Sequence, residues 1–243
     1  MQIDEYRKLA EVEDAMWYFK ALNQRMLLPL SQWKDRNADV LDAGCGTGGL
    51  IQALKQFGPK WKITGLDFSP LACRLASDRT GVDIIEGSIT NLPFEQERFD
   101  ILTSADVISQ VEDASIALRE FARVLRPGGM VVINVAAYQW MWSYHDDTCE
   151  THHRFRRSEL RKMTEDVGLS PIKSSYANTF VFPLIIAKRK LFASPSSTSD
   201  VQSYSKSIDM CCGSLARLEH SWLRNGGSFP TGCSVFLAAR KHE

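Results

Sequence analysis

The sequence predicts an α/β fold built around a doubly wound, mostly parallel β-sheet. Between residues 38 and 135, short apolar segments of strand length alternate with segments whose apolar residues recur at helical spacing. The connections are short, and glycines stand where several of these segments end. This alternation is typical of a parallel sheet covered by helices on both faces. In such sheets, ligands bind at the carboxyl ends of the strands, near the point where the strand order reverses.

The elements of the first half follow from local patterns. Ser69 is a good N-cap for the helix that follows the second strand, and Pro70 suits its first position. One proline and two glycines within residues 126–129 predict a turn before the fifth strand. The predicted strands are 38–42, 61–67, 82–86, 99–104 and 130–135, and the predicted helices are 48–57, the segment from residue 70, and 113–125.

The second half is more irregular. A polar segment rich in aromatic residues and histidines covers residues 136–155, and a serine-rich linker is predicted at residues 193–199. The sequence contains no internal repeat. Helices are predicted at 158–167, 180–192 and 211–223, and strands at 172–176 and 232–239.

Composition narrows the class of protein. Lys plus Arg and Asp plus Glu each number 29, so the net charge of zero gives no general attraction to nucleic acid. The longest apolar run, residues 180–187, is far shorter than the roughly 20 residues that span a bilayer. The six cysteines form no Cys-x-x-Cys pair, and the charged N-terminus has no apolar signal region. We therefore expect a reduced, cytoplasmic enzyme domain that neither binds nucleic acid nor inserts stably into a membrane.

The glycine-rich segment at residues 40–49 follows the first strand. Gly44, Gly46 and Gly48 let the backbone turn tightly and approach a ligand. Their Gly-x-Gly-x-Gly spacing differs from the Gly-x-Gly-x-x-Gly of dinucleotide folds. Asp42 before the loop would repel a pyrophosphate and attract an ammonium, and Asp67 at the end of the second strand can accept hydrogen bonds from a ribose. An ammonium and a ribose together describe S-adenosylmethionine.

Five segments, taken in their order along the chain, resemble the successive motifs of class I S-adenosylmethionine-dependent methyltransferases. They are residues 40–49, 65–70, 87–94, 99–102 and 125–129. Within that class, the chain is similar to a bacterial small-molecule subgroup of methyltransferase types 11 and 12. The resemblance implies a seven-stranded sheet whose last strand, near 235–239, is antiparallel. It also implies that the cofactor is held by Asp42, Gly44, Cys45, Gly46, Asp67, Phe68, Ser88, Ile89 and Ala105.

We expect residues 1–243 to form a single domain. Residues 1–35 are predicted to be an N-terminal helical cap and residues 36–176 the cofactor-binding core. Residues 177–230 are predicted to be a helical insertion or lid that contains the serine-rich linker, and residues 231–243 the final strand.

The acceptor is less closely specified. The chain lacks an Asn-Pro-Pro-Tyr motif after the fourth strand and the paired glutamates of arginine methyltransferases, which disfavours both acceptor classes. Residues 140–146 and 152–155 resemble the Trp-Ser-x-His-Asp and His-x-Arg-aromatic elements of the bacterial subgroup, and residues 17–19 and 230–234 resemble its terminal elements. The resemblance implies a biosynthetic enzyme that methylates oxygen or nitrogen of a small-molecule, glycan or lipid-type metabolite. No motif specifies an oligomeric state.

The candidate catalytic residues are His145, Asp146 and His152. His145 is predicted to be a general base oriented by Asp146, with His152 as the competing base. A purely structural role for this cluster is the alternative, and no metal-ligand spacing is present. The predicted acceptor-binding residues are Trp17, Tyr18, Tyr138, Trp142 and Arg154.

Two other functions remain open at this point. A nicotinamide-dependent oxidoreductase could use the same kind of sheet, although Asp42 and the glycine spacing disfavour it. A non-catalytic partner subunit that binds S-adenosylmethionine is the second alternative.

Overall fold

The computed structural model describes residues 2–191, 201 and 204–242. In these residues, seven β-strands form one sheet. They are β1 (Ala38–Ala43), β2 (Trp61–Asp67), β3 (Asp83–Glu86), β4 (Phe99–Ala105), β5 (Leu125–Ala136), β6 (Leu169–Ala177) and β7 (Ser234–Lys241).

The strand order is β3-β2-β1-β4-β5-β7-β6. The first five strands along the chain pair in parallel, whereas β7 runs antiparallel to both β5 and β6. The order reverses between β1 and β4, so the carboxyl ends of these two strands border the crevice where such sheets bind ligands. The predicted seven-stranded, mostly parallel sheet with an antiparallel final strand is confirmed.

Helices cover both faces of the sheet. Ser69 caps α4 by accepting a hydrogen bond from Ala72 N at 3.4 Å, and Asp113 caps α5 by accepting one from Ser115 N at 2.8 Å. The helices in the described residues are α1 (Ile3–Val12), α2 (Trp17–Leu27), α3 (Gly49–Phe57), α4 (Pro70–Thr80), α5 (Ala114–Val124), α6 (Tyr144–Thr148), α7 (Arg157–Asp166), α8 (Phe182–Leu191) and α9 (Lys206–Arg224). None of them is both long and apolar enough to cross a membrane.

The core lies on both faces of the sheet because neighbouring strand residues point to opposite sides. Leu41 and Leu102 pack with Phe121 of α5 on one face. Val40 and Ile101 pack toward α3 on the other. These side chains are fully buried. The central strands are therefore rigidly held, and the residues at their carboxyl ends have fixed positions.

Several boundaries differ from the prediction. Strand β5 begins at Leu125, so the segment predicted as a turn at 126–129 belongs to the strand. The pairing of β5 with β4 shifts register there, between Phe99 and Ile101. Helix α9 begins at Lys206, five residues before the predicted start, with Ser205 as its N-cap. The predicted linker at 193–199 lies outside the described residues. Helices α8 and α9 lie between β6 and β7 in the chain, and α9 packs against α2.

Candidate active site

The loop between β1 and α3 adopts left-handed backbone conformations at its glycines. Gly44, Gly46 and Gly48 all have left-handed φ values, of +82°, +54° and +88°. A Cβ at Gly44 would collide with the side chain of Val107. The backbone N–H of Gly44 donates to Leu66 O at 2.7 Å, which ties the loop to the neighbouring strand β2. The loop therefore lies where its backbone can meet a ligand at the edge of the sheet.

Asp42 is 1% exposed near the end of β1. Its Oδ1 accepts a hydrogen bond from Thr103 Oγ1 at 2.7 Å, whereas its Oδ2 is buried and has no hydrogen-bond partner among the described residues. Burial, with smaller contributions from the charges of Asp67 and Glu13, raises the pKa of this carboxyl group to about 7, against the opposing effect of the Thr103 hydrogen bond. A buried carboxylate oxygen without a partner is costly, so this position favours a ligand that brings a cation or donor.

Asp67, the last residue of β2, joins the loop to the sheet edge. Its Oδ2 accepts from Gly46 N at 2.8 Å, and its Oδ1 accepts from Ser69 N at 2.9 Å and from the Tyr6 hydroxyl at 3.3 Å. Burial raises the pKa of Asp67, against the effect of these donors. The side chain is therefore held rigidly beside the glycine loop.

The remaining predicted cofactor residues reach the same edge of the sheet in different ways. Phe68 is 79% exposed directly after β2, so the face of its ring is free to stack with a ligand. Ala105 is half-buried at the end of β4, and Ser88 bonds to Thr90 Oγ1 at 2.7 Å. Cys45 and Ile89 are buried, and burial raises the pKa of the Cys45 thiol. These two side chains belong to the core under the site.

Helix α1 lies across the glycine loop. The Tyr6 hydroxyl donates to Asp67, and a Cβ at Gly46 would lie 3.6 Å from Leu9 Cδ2. Glu13, just beyond α1, accepts hydrogen bonds from Thr47 and Arg79. Sequence reasoning missed these contacts. The available signal was the i, i+3, i+7 spacing of Tyr6, Leu9 and Glu13, which puts them on one helical face.

The segment that holds the predicted acceptor-side residues contains a buried ion pair. Asp146 Oδ1 and Arg154 lie 2.7 Å apart, with side chains 2% and 4% exposed. Asp146 Oδ2 accepts from Ser143 N at 2.8 Å and so caps α6, and Arg154 Nε donates to Ala137 O at 2.9 Å. A buried guanidinium needs a counter-charge, which Asp146 supplies. The ion pair therefore fixes α6 to the backbone that follows β5, and we call it the Asp146–Arg154 clasp. These contacts differ from the predicted roles, in which Asp146 orients His145 and Arg154 binds the acceptor.

The two candidate bases occupy different environments. His145 is half-buried in α6, with its ring nitrogens 3.6 and 3.7 Å from Cys149 Sγ. The side chain of His152 is exposed, while its backbone N–H donates to Ser109 O at 2.7 Å. His145 is therefore the more enclosed of the two candidate bases.

The predicted acceptor-binding aromatic residues do not converge on one pocket. The hydroxyl of Tyr18 donates to Asp106 Oδ2 at 2.7 Å, at the sheet edge. Trp17 is buried in a cluster toward α8 and α9. Tyr138 stacks on neighbouring aromatic rings near β6, and Trp142 is 36% exposed. Of these residues, Tyr18 reaches the edge where the cofactor residues gather.

Sequence reasoning missed Asp106, which stands directly after β4. Its backbone has a left-handed φ of +60°, which is uncommon for a residue other than glycine. Its Oδ1 accepts from Asn134 Nδ2 at 2.8 Å, while Oδ2 accepts from Tyr18. Burial raises the pKa of Asp106, whereas the donors beside it lower it. The available signal in the sequence was the position of this acidic residue directly after a predicted central strand.

Residues 41–133 match the family model described as a methyltransferase domain. The matched segment runs from β1 into β5 and contains the glycine loop, Asp42 and Asp67. Residues 41–133 therefore carry a methyltransferase domain, which is the enzyme class that the sequence predicted.

A curated relative of the methyltransferase domain is the demethylmenaquinone methyltransferase of Staphylococcus aureus. It is 39% identical over 102 residues, which are 40% of this chain and 42% of that protein. The match thus spans about two fifths of the relative's length.

Solved structures share the fold over most of the chain. A geranyl diphosphate methyltransferase in complex with S-adenosylmethionine has a TM-score of 0.64 and 18% identity, covering 92% of this chain and 86% of that one. A putative sarcosine dimethylglycine methyltransferase from Galdieria sulphuraria has a TM-score of 0.62 and 17% identity, covering 92% and 85%. At this level of identity, the likeness shows the class I methyltransferase fold.

The methyltransferase domain match covers only part of the candidate site. It includes Asp42, Asp67 and Asp106, whereas Tyr18 precedes it and His145 follows it. Most of the candidate cofactor residues therefore lie within the matched segment. The candidate residues on the acceptor side lie on segments outside it.

Proposed function

We propose that the protein is an S-adenosylmethionine-dependent methyltransferase whose acceptor is a small-molecule, glycan or lipid-type metabolite, methylated on oxygen or nitrogen. The observation that carries this proposal is the unpartnered, buried Asp42 Oδ2 beside the glycine loop. Such an atom fits a ligand ammonium and disfavours the pyrophosphate of a dinucleotide. The proposal is therefore preferred over a nicotinamide-dependent oxidoreductase.

The residues at the strand ends fit the chemical groups of this cofactor. Asp42 is proposed to hold the ammonium of the methionine end, Asp67 the ribose hydroxyls, and Phe68 a face of the adenine. Cys45, Ser88, Ile89 and Ala105 are proposed to shape the cradle around them. The cofactor supplies an activated methyl group on a sulfonium, so the protein mainly has to align the acceptor with it.

His145 is the proposed acceptor-side base. A half-buried imidazole near the carboxyl edge can accept the proton that a hydroxyl or amine loses on methylation. The Asp146–Arg154 clasp supports the segment that carries His145, so Asp146 and Arg154 would act through the position of α6. The exposed His152 remains the competing base.

The names of the relatives support a small acceptor. Demethylmenaquinone, geranyl diphosphate and sarcosine are all small molecules. A biosynthetic role in the cytoplasm stays a prediction, as do the cap at residues 1–35 and the lid at residues 177–230. A non-catalytic partner subunit is disfavoured, because Asp42, Asp67 and the loop glycines are all in place.

The first test of the cofactor is calorimetric. Titration of the purified protein should show binding of S-adenosylhomocysteine and no binding of nicotinamide adenine dinucleotide. The reverse pattern would transfer the proposal to the oxidoreductase. Turnover on any acceptor would exclude the non-catalytic alternative.

Asp67→Ala is expected to weaken binding of S-adenosylhomocysteine by about 1.5–3 kcal/mol, roughly 10- to 150-fold, because hydrogen bonds to a charged group are lost. Calorimetry checks this value. Asp166→Ala, at an exposed position in α7, is the matched control and should bind like the unchanged protein. Unchanged affinity in a folded Asp67→Ala protein would remove the ribose assignment.

Binding is expected to depend on pH through Asp42. Because its pKa in the free protein is raised to about 7, the carboxyl group is largely neutral below that pH and attracts an ammonium less. The affinity for S-adenosylhomocysteine should therefore fall as the pH is lowered from 8 to 6, by up to about tenfold for each unit below the pKa. Asp42→Asn should bind more weakly with a flatter profile, and an equally steep profile in that variant would assign the dependence to another group.

A further inference from the structure

Three carboxyl groups stand at the ends of neighbouring strands. Asp67 ends β2, Asp42 lies near the end of β1, and Asp106 follows β4. In the proposed function, Asp67 takes the ribose and Asp42 the ammonium. The sulfur joins these two parts of the cofactor, and the adenine lies on the β3 side. The β4 side, where Asp106 stands, is therefore the side left for the reactive methyl group and the acceptor.

Asp106 is held in an unusual backbone conformation. Its φ of +60° carries a cost for a residue with a Cβ, and such strain is concentrated at functional positions. The backbone N–H of Asp106 donates to Asn134 O at 2.8 Å, which fixes the turn after β4. The strained turn directs the carboxylate toward Tyr18 and Asn134, which bind one oxygen each.

A buried arginine determines which way the Asn134 amide faces. Arg25 is 3% exposed and donates to Asn134 Oδ1 from Nη2 at 3.1 Å and from Nε at 3.3 Å. Since a guanidinium can only donate, it holds Asn134 Oδ1 toward itself and turns Nδ2 toward Asp106. Tyr18 and Asn134 thus both donate to Asp106, which favours its charged form.

The Arg25 guanidinium is itself fixed. It lies 3.9 Å from Glu219 of α9, and Glu219 accepts hydrogen bonds from the backbone N–H groups of Asn178 and Thr179 at 2.6 and 2.7 Å. The network therefore runs from α9 through α2 and β5 to Asp106. Charged groups buried at this cost indicate that the position of the Asp106 carboxylate matters.

We propose that Asp106 faces the sulfonium position of the bound cofactor and determines the preference for a cation there. This inference rests on the proposed function. A fixed negative charge favours the charged methyl donor over its neutral product. Asp106 thereby strengthens binding before methyl transfer and weakens it afterwards. Tyr18 and Asn134 are positioning residues, which act by holding this carboxylate.

The test compares two probes that differ in charge at this position. S-adenosylhomocysteine has a neutral sulfur there, whereas sinefungin has an amine that is protonated at neutral pH. Asp106→Asn should lower the affinity for sinefungin about tenfold or more relative to that for S-adenosylhomocysteine, because a charge-assisted contact is lost. Asparagine tolerates a left-handed backbone, so the turn after β4 should survive. Isothermal calorimetry gives both affinities without an acceptor.

Two further variants keep the result interpretable. Asp166→Asn, an exposed aspartate of α7, should leave the ratio of the two affinities unchanged. Tyr18→Phe should lower the ratio in the same direction by a smaller factor, and it provides the measurement if Asp106→Asn does not fold. An unchanged ratio in both Asp106→Asn and Tyr18→Phe, or equal losses for both probes, would overturn the inference. Failure of the unchanged protein to bind either probe would instead overturn the proposed function.

Discussion

Gly46→Val is expected to abolish binding of S-adenosylhomocysteine, with a loss on the order of a hundredfold or more. Gly46 has a φ of +54°, and its N–H donates to Asp67 Oδ2 at 2.8 Å. A β-branched residue disfavours this conformation strongly, and its side chain would project where the loop backbone meets a ligand. The loop would have to rearrange, so the contact to Asp67 would be lost as well. Calorimetry measures the affinity, and thermal unfolding shows whether the variant folds.

A matched control separates backbone strain from loss of the cradle. Gly81 at the end of α4 has a similar φ of +63°, and a Cβ there would meet nothing within 4 Å. Gly81→Val should therefore lose stability through the same backbone effect while retaining its affinity for S-adenosylhomocysteine. If Gly46→Val folds and binds like the unchanged protein, the loop is not the cofactor cradle.

His145→Ala is expected to lower turnover by about 10²- to 10⁴-fold, the usual contribution of a positioned general base. The affinity for S-adenosylhomocysteine should stay nearly unchanged, because His145 belongs to the acceptor side. The measurement is the single-turnover rate on an acceptor identified by screening small metabolites for production of S-adenosylhomocysteine.

The comparison with His152→Ala decides between the two candidate bases. His152 is exposed, so its removal should change the rate little. A large loss in His152→Ala alone would transfer the role of base to His152. Small losses in both variants would mean that the enzyme acts by alignment alone and that His145 belongs to a structural clasp.

The candidate cofactor residues could be located from the sequence because the signals for them are local. The glycine spacing after β1 and the acids near the ends of two strands can be read from short segments, and the parallel sheet then brings Asp42 and Asp67 to one edge. The same reasoning predicted the sheet, since strand and helix periodicities alternate clearly. The predicted starts of β5 and α9 were less accurate. The strand pairing of β5 and the N-cap of α9 both lie before the apolar residues from which these elements were predicted.

The acceptor half depends on contacts between distant parts of the chain. Arg154 was predicted to bind the acceptor, but its partner in the fold is the buried Asp146. Asp106 is held by hydrogen bonds from Tyr18 and Asn134, which are separated from it by 88 and 28 residues along the chain. A sequence pattern shows which residues can ionise, whereas the choice of partner is made by tertiary packing.

The position of α1 has a kinetic consequence. The hydroxyl of Tyr6 already bonds to Asp67, and Leu9 lies beside the glycine loop, so a ligand that takes the place of the Tyr6 hydroxyl on Asp67 has to displace part of α1. Association would then be limited by how often the helix opens, and its rate should level off at high ligand concentration instead of rising in proportion. Dissociation would wait for the same opening. Residence time would thus depend on how often α1 moves away as well as on the contacts to the ligand.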